Sequence, residues 1–321
     1  VECLLCPNRC VLAPGQTGFC RNFQNQGGTL RSLVYGKPCS VGVELIEKAP
    51  LYHVLPGGKR LCVATTGCNM RCKFCQNWQI SQCSVGEVDT QSLTPAQIVE
   101  TAQREGVPII CFTFTEPVNF YDYMYDICRL AKPAGIKTVM ISNGYINPEP
   151  MRALLPWLDA VKIDLKGFTD KFYQEVTSGK LGPVLETMKT IKAAGVHLEI
   201  VNLVVPTMND KRADVKRMCD WIVKELGPDV PLHFTRFHPD YKLRQLPPTP
   251  PATLDMAAAV AKKAGIKYVY IGNLPGSPLN STYCPACGAL LIERVGMLMR
   301  ENSIKDGKCP KCGQPIPGVW Q

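Results

Sequence analysis

The sequence predicts an α/β protein: a partial, TIM-type (β/α)6 barrel with a small Cys-rich metal-binding module at each end. Three observations lead there. Short β-rich runs alternate with helical stretches through the middle of the 321-residue chain. The 17 cysteines concentrate at the two ends and in one loop. Polar clusters fall where the strands stop, which is where parallel β/α folds keep their chemistry. The expected divisions are an N-terminal Cys-rich module over 1–59, the barrel over 60–275 and a zinc-ribbon-like module over 276–321.

In chain order, strands are expected at 61–66, 109–115, 138–142, 160–165, 198–205, 232–237 and 268–271, each rich in β-branched or other apolar residues. Helical periodicity separates them over 95–104, behind the N-cap residue Thr94, and over 121–131, 184–194 and 214–226. The steps Ala134-Gly135-Ile136, Ala194-Gly195-Val196 and Ala264-Gly265-Ile266 each place a left-handed terminator before the next strand. Such alternation builds either a barrel or an open doubly wound sheet. Six or seven units over about 215 residues fall short of the ~250 of a full barrel, so an incomplete one is expected.

Composition narrows the function classes. A 45% hydrophobic chain of this length can bury a large core, and no apolar run approaches the ~20 residues that cross a bilayer. The first residues lack the basic start and apolar stretch of a secretory signal. Cysteines in C-x2-C pairs within a core-rich chain favour metal ligation over disulfides, so a reducing cytoplasm is the expected location. The net charge of +9 is spread without a dense basic run, so nucleic-acid binding gains little support.

The cysteines carry the chemistry. Cys68, Cys72 and Cys75 form C-x3-C-x2-C directly after Thr65-Thr66-Gly67, at the end of the first barrel strand. Thiolates suit iron–sulfur clusters, and three of them leave one iron of a [4Fe-4S] cube free for a non-protein ligand. Cys284, Cys287, Cys309 and Cys312 form C-x2-C-x21-C-x2-C, a ribbon pattern with glycine after each second cysteine. A closed four-thiolate site suits zinc, with a rubredoxin-like iron or a second cluster as alternatives. Cys3, Cys6, Cys10 and Cys20 admit either zinc or an auxiliary iron–sulfur cluster. Cys62 and Cys111 are expected to be small core residues, and His53 a hydrogen-bonded structural one.

With these motifs in place, the chain resembles radical S-adenosylmethionine (SAM) enzymes related to pyruvate formate-lyase activase, and more narrowly the AmmeMemoRadiSam group. The likeness runs from Cys3 to Trp320 and rests on Gly67–Trp78, Phe112–Pro117, Ile141–Tyr145 and Arg236–Tyr241. It implies that SAM chelates the open iron and is cleaved to a 5′-deoxyadenosyl radical. It further implies that Phe74 packs near the adenine, and that Thr113, Thr115 and Glu116 stand where relatives carry Gly-Gly-Glu-Pro against the SAM ammonium. Ser142 and Asn143 would contact ribose or carboxylate, and Asp164 and Lys166 would steady the carboxylate and the site's charge. His233 or Arg236 would lie near the SAM carboxylate or the substrate, with His238 competing for that role.

Partners follow from the same likeness. A low-potential donor of flavodoxin or ferredoxin type would reduce the cluster. The substrate would be a protein glycine, as for activases, or else a peptide or small molecule. A zinc-ribbon nucleic-acid-binding protein is the competing class, but it leaves the three-cysteine loop without a purpose.

Overall fold

The computed structural model describes residues 1–321. After the first cysteines come β1 (Phe23–Gln26) and β2 (Thr29–Ser32), a small antiparallel hairpin. An eight-stranded sheet follows: β3 (Ser40–Leu45), β4 (Lys59–Ala64), β5 (Ile109–Phe112), β6 (Lys137–Ser142), β7 (Ala160–Asp164), β8 (His197–Val204), β9 (Leu232–Arg236) and β10 (Val269–Gly272). Between its strands run α1 (Trp78–Ser81), α2 (Pro95–Arg104), α3 (Tyr121–Ala131), α4 (Pro148–Leu154), α5 (Asp170–Phe172), α6 (Leu181–Ala193), α7 (Arg212–Glu225) and α8 (Pro251–Ala264). A last sheet, β11 (Thr282–Tyr283), β12 (Leu290–Val295) and β13 (Leu298–Asn302), closes the chain.

The large sheet keeps its strands in chain order, with β4 through β10 parallel and β3 antiparallel to β4. A doubly wound sheet would reverse its order at a switch point, and this one does not. The outer strands β3 and β10 do not pair with each other, so the sheet stays open. Six β/α units and a seventh parallel strand result. Residues 40–45, expected within the N-terminal module, instead form the antiparallel edge of this sheet.

Local chemistry explains the elements. Thr94 and Gln97 form a reciprocal capping box at the start of α2, with Pro95 in the first turn. Gly135, Gly195 and Gly265 all take positive φ where the chain leaves a helix for a strand. β5 stops at Phe112, before the expected Thr115, because Phe114 turns left-handed at φ 65° and Thr115 N bonds Thr113 O at 2.8 Å.

Strand alternation divides the core. Val63, Ile110, Phe112, Met140, Ile163 and Phe234 face the helices and share the largest apolar cluster with Ile98, Met188 and Met218. On the other face Ile109, Cys111, Val139, Ile141 and Ala160 pack under Ile46, Leu51 and Val54. Of the remaining inward positions, Arg60, Lys162, Asp164, Glu199 and His233 are polar, beside apolar Val201 and Leu203.

Candidate functional site

The loop after β4 is fixed from several sides. Gly67 sits at φ 85°, and a Cβ there would collide with the Cys20 carbonyl and the Asn22 side chain. Buried Asn69 donates to Tyr145 O (2.8 Å) and accepts from Asn143 Nδ2 (2.8 Å), whose amide also points toward Cys68 Sγ at 3.9 Å. Arg71 N and Lys73 N bond Thr177 O and Val176 O. The three thiols, none in a disulfide, line one cavity of about 790 Å³. Burial pushes the Cys68 thiol up, with Glu116 next, and pushes Cys72 up to about 12 although Lys166 opposes it. Free, converging thiols beside a cationic side chain are the donor set that an iron–sulfur cluster takes.

All eight residues expected at the cofactor, Phe74, Thr113, Thr115, Glu116, Ser142, Asn143, Asp164 and Lys166, line this same cavity. Glu116 caps the short turn over Pro117–Phe120 and accepts from Ser142 Oγ (2.7 Å), Asn143 N (2.7 Å) and Val118 N (3.2 Å). Burial still raises its carboxyl to about 7. Thr115 Oγ1 donates to Thr65 O at 2.8 Å, which ties the end of β5 to that of β4. Asp164 bridges Lys162 (2.7 Å) and Lys166 (2.8 Å). Burial alone would raise Asp164, but the two ammonium groups hold it down to about 2.

Several wall residues escaped sequence reasoning. Arg60 and Lys162 point inward from β4 and β7; Arg60 pairs with Glu44 (3.0 Å) and donates to Cys111 Sγ (3.1 Å). The signal was present as charged residues alternating with apolar ones in Ala-Val-Lys-Ile-Asp, a pattern that marks an inward polar row. Cys62 and Cys111 are fully buried as expected, but they touch charges as well as apolar neighbours. The last wall comes from the C-terminal sheet: Val295, Gly296 and Met297 of the β12–β13 turn, held by Asn280 Nδ2 bonding Gly296 O at 2.8 Å.

His233, Arg236 and His238 do not line the cavity. His233 is buried deeper in the sheet, Nε2 to Glu199 Oε2 at 2.6 Å, with its ring stacked on Tyr270. Arg236 Nε donates to Thr249 O (3.0 Å), and His238 faces solvent. Strand-end position suggested all three, but inward alternation and depth decide which can reach a ligand.

The C-terminal thiols are gathered. Sγ atoms of Cys284 and Cys312 lie 3.6 Å apart and those of Cys287 and Cys309 3.8 Å, all four within 4.8 Å of one another. A tetrahedral ion with ligands at about 2.3 Å requires S–S edges of about 3.8 Å, so the four can close around one metal ion. Gly288 and Gly313 take positive φ, and their N–H groups return to Cys284 O and Cys309 O, each at 2.9 Å.

Comparison with known proteins agrees with this geometry. The family model described as Radical SAM superfamily matches residues 62–222. An uncharacterized protein of Methanocaldococcus jannaschii is 46% identical over 318 residues, covering 98% of this chain and 95% of its own. The pyruvate formate-lyase-activating enzyme of Clostridium pasteurianum is 25% identical over 206 residues, 59% of this chain and 84% of that one. Among solved structures, a radical SAM methyltransferase from Sphaerobacter thermophilus shares the fold at TM-score 0.53 and 13% identity, covering 68% of each chain. Streptococcus suis SuiB does so at 0.53 and 11%, covering 73% of this chain and 52% of its own. A three-cysteine loop, an open parallel sheet and a family match through the core of that sheet lead to one statement: the chain belongs to the radical SAM superfamily.

Proposed function

We propose that the chain abstracts hydrogen from a glycine Cα–H in a protein or peptide substrate, as an activase does. The observation that carries this reading is the shared cavity: the three thiols and all eight candidate cofactor residues open onto one space that also reaches the C-terminal sheet. Cys68, Cys72 and Cys75 would hold a [4Fe-4S] cluster, which together with SAM would supply a 5′-deoxyadenosyl radical as the hydrogen-abstracting group.

The chain's own residues then bind, orient and shield. Asn143 and Asn69 fix the cysteine loop, so the three thiolates face the cavity together. Glu116 holds Ser142 and the Asn143 amide in place at the end of β6, which sets the polar groups offered to the SAM amino-acid end. Lys166, steadied by Asp164, places a fixed cation beside Phe74, where it can meet a carboxylate. Phe74 and Phe114 give the cavity apolar surface that keeps water and stray hydrogen donors from a reactive carbon.

Substrate class follows from the rest of the wall. Lys48, Arg60, Lys162 and Lys166 are matched by Glu44, Glu47, Glu116 and Asp164, so the cavity carries little net charge. That balance suits an uncharged peptide segment better than a strongly anionic metabolite. The apolar turn at Val295 and Met297 borders the same space and gives such a segment a surface to lie against. A low-potential one-electron carrier is the implied reductant.

The test is anaerobic reconstitution with iron, sulfide, SAM and dithionite, assayed for 5′-deoxyadenosine, then repeated with peptides deuterated at the glycine α-carbon. Product formation with deuterium in the 5′-methyl group is expected. Product without label transfer from any glycine peptide would overturn the substrate; absence of product from a cluster-loaded chain would overturn the reaction.

A further inference from the structure

The N-terminal cysteines remain to be placed. We infer that Cys3, Cys6, Cys10 and Cys20 hold a fully ligated [4Fe-4S] cluster that relays electrons to the centre at Cys68, Cys72 and Cys75. The site stands on its own geometry; only the destination of the electrons rests on the function proposed above.

Spacing is the first argument. Cys3, Cys6 and Cys10 form C-x2-C-x3-C, the core loop's C-x3-C-x2-C in reverse over an equal span. Cys20 adds the fourth thiolate that the core loop lacks, and a cube with all four irons ligated by protein carries electrons rather than binding substrate. Local geometry agrees. Cys3 N bonds Cys10 O at 2.9 Å and Arg9 N bonds Cys6 O at 3.1 Å, which folds the first three cysteines into one compact loop. The backbone N–H of Phe19, next to Cys20, donates to Cys10 Sγ at 3.3 Å.

A single ion is the rival occupant, and the molecule contains its own standard for one. The C-terminal sulfurs all lie within 4.8 Å of one another, whereas no three of the N-terminal sulfurs do. The three core sulfurs do not all lie within that distance of one another either. A cluster seats each thiolate on a different iron and so holds the sulfurs farther apart than one tetrahedral ion does.

Position supports the relay. The Cys20 carbonyl sits against Gly67, the residue before Cys68, so closely that no side chain fits between them. Asn22 Nδ2 bonds Thr66 O (2.6 Å) and Asn8 Nδ2 bonds Asn69 O (3.0 Å), which joins the two cysteine loops directly. The Arg71 guanidinium bonds Cys68 O (2.6 Å) and Phe19 O and lies 3.9 Å over the Phe19 ring. Cys10 is partly exposed, which leaves the outer side open to a donor. One electron leaves a reduced flavodoxin- or ferredoxin-type carrier, which is oxidised; it reduces this cluster and passes on to the core centre, and no bond is made or broken on the way.

The test compares wild type with the double variant Cys6→Ala/Cys20→Ala, which leaves only two thiolates at the site, after anaerobic loading with iron and sulfide, by metal analysis and EPR. About eight irons and one zinc per chain are expected in wild type, and about four irons in the variant, with the SAM-perturbed EPR signal of the core retained. Wild type with about four irons and two zincs would overturn the site without reference to any variant. A double variant that keeps about eight irons would overturn the assignment of the cluster to these cysteines. For the relay, SAM cleavage by the variant should fall about tenfold or more with reduced flavodoxin and stay within about twofold of wild type with dithionite. Equal rates with both donors, or equal loss with both, would sink the relay. Eight irons without any 5′-deoxyadenosine would leave this site standing and remove the reaction proposed above.

Discussion

The inside of the sheet has two polar regions that differ in one respect. At the carboxyl ends of the strands, thiols, carboxylates and lysines open onto a cavity. Deeper in, Glu199 is fully buried and accepts from Tyr52 N, His53 N (2.8 Å), His197 and His233. His53 bridges Pro317 O (2.6 Å) and Tyr270 OH (2.7 Å), and Arg294 of β12 lies 3.5 Å from Glu47 and 4.2 Å over the Tyr52 ring. This second region fastens residues 46–55, the sheet and the C-terminal module together. Both regions are rich in titratable groups, but in the deep one Glu199, His53 and His233 are bonded to protein partners and none of them lines the cavity. Burial and chemistry alone do not mark a site; unspent bonding capacity facing a cavity does.

The contrast can be broken in order of size. Cys72→Ala should lower SAM cleavage at least about a thousandfold, about 4 kcal/mol of barrier, with the unfolding midpoint of the metal-free chain little changed. A comparable loss of stability would mean that the rim is structural too. Glu199→Ala should do the reverse. It strands two imidazoles and two backbone N–H groups, at a cost of about 3–5 kcal/mol in denaturant titration, since breaking a buried charged network leaves its partners uncompensated. Unchanged stability would refute the division.

A pH titration sharpens it further. Burial drives His53 down to about 3, and His197 and Arg294 push the same way against Glu199. Because its folded value lies below the ordinary 6.5, the neutral ring is favoured in the folded state, so its contribution is complete above about pH 6.5 and fades below. At pH 5 that amounts to a loss of about 2 kcal/mol, which a His53→Gln variant should not show. The smallest effect is a control remote from both regions: Thr94→Ala removes the cap of α2 and should cost about 1 kcal/mol with no change in SAM cleavage.

Much of this was legible in the chain because the signals are local. Each expected strand lies within a few residues of its observed position, since a β-rich run between turn residues needs no tertiary information. The cysteine motifs were legible for the same reason, and the glycines after Cys287 and Cys312 turned as their spacing suggested. Contacts distant in sequence were not. Ser40–Leu45 reads as a glycine-containing loop until β4 lies beside it. His233 carries the same strand-end signature as Ser142, yet Glu199, 34 residues away, has already claimed it. The Val295–Met297 turn gives no hint that it will wall a cavity built mostly by the parallel strands of the large sheet.

That turn has a consequence for diversification. The cysteine-loop end of the chamber belongs to the large sheet, while its far end is lent by a turn of the C-terminal sheet. Lengthening or recasting residues 295–298 should therefore alter the far wall of the cavity and leave the residues around Cys68, Cys72 and Cys75 in place. Grafting this turn between relatives should carry substrate preference with it.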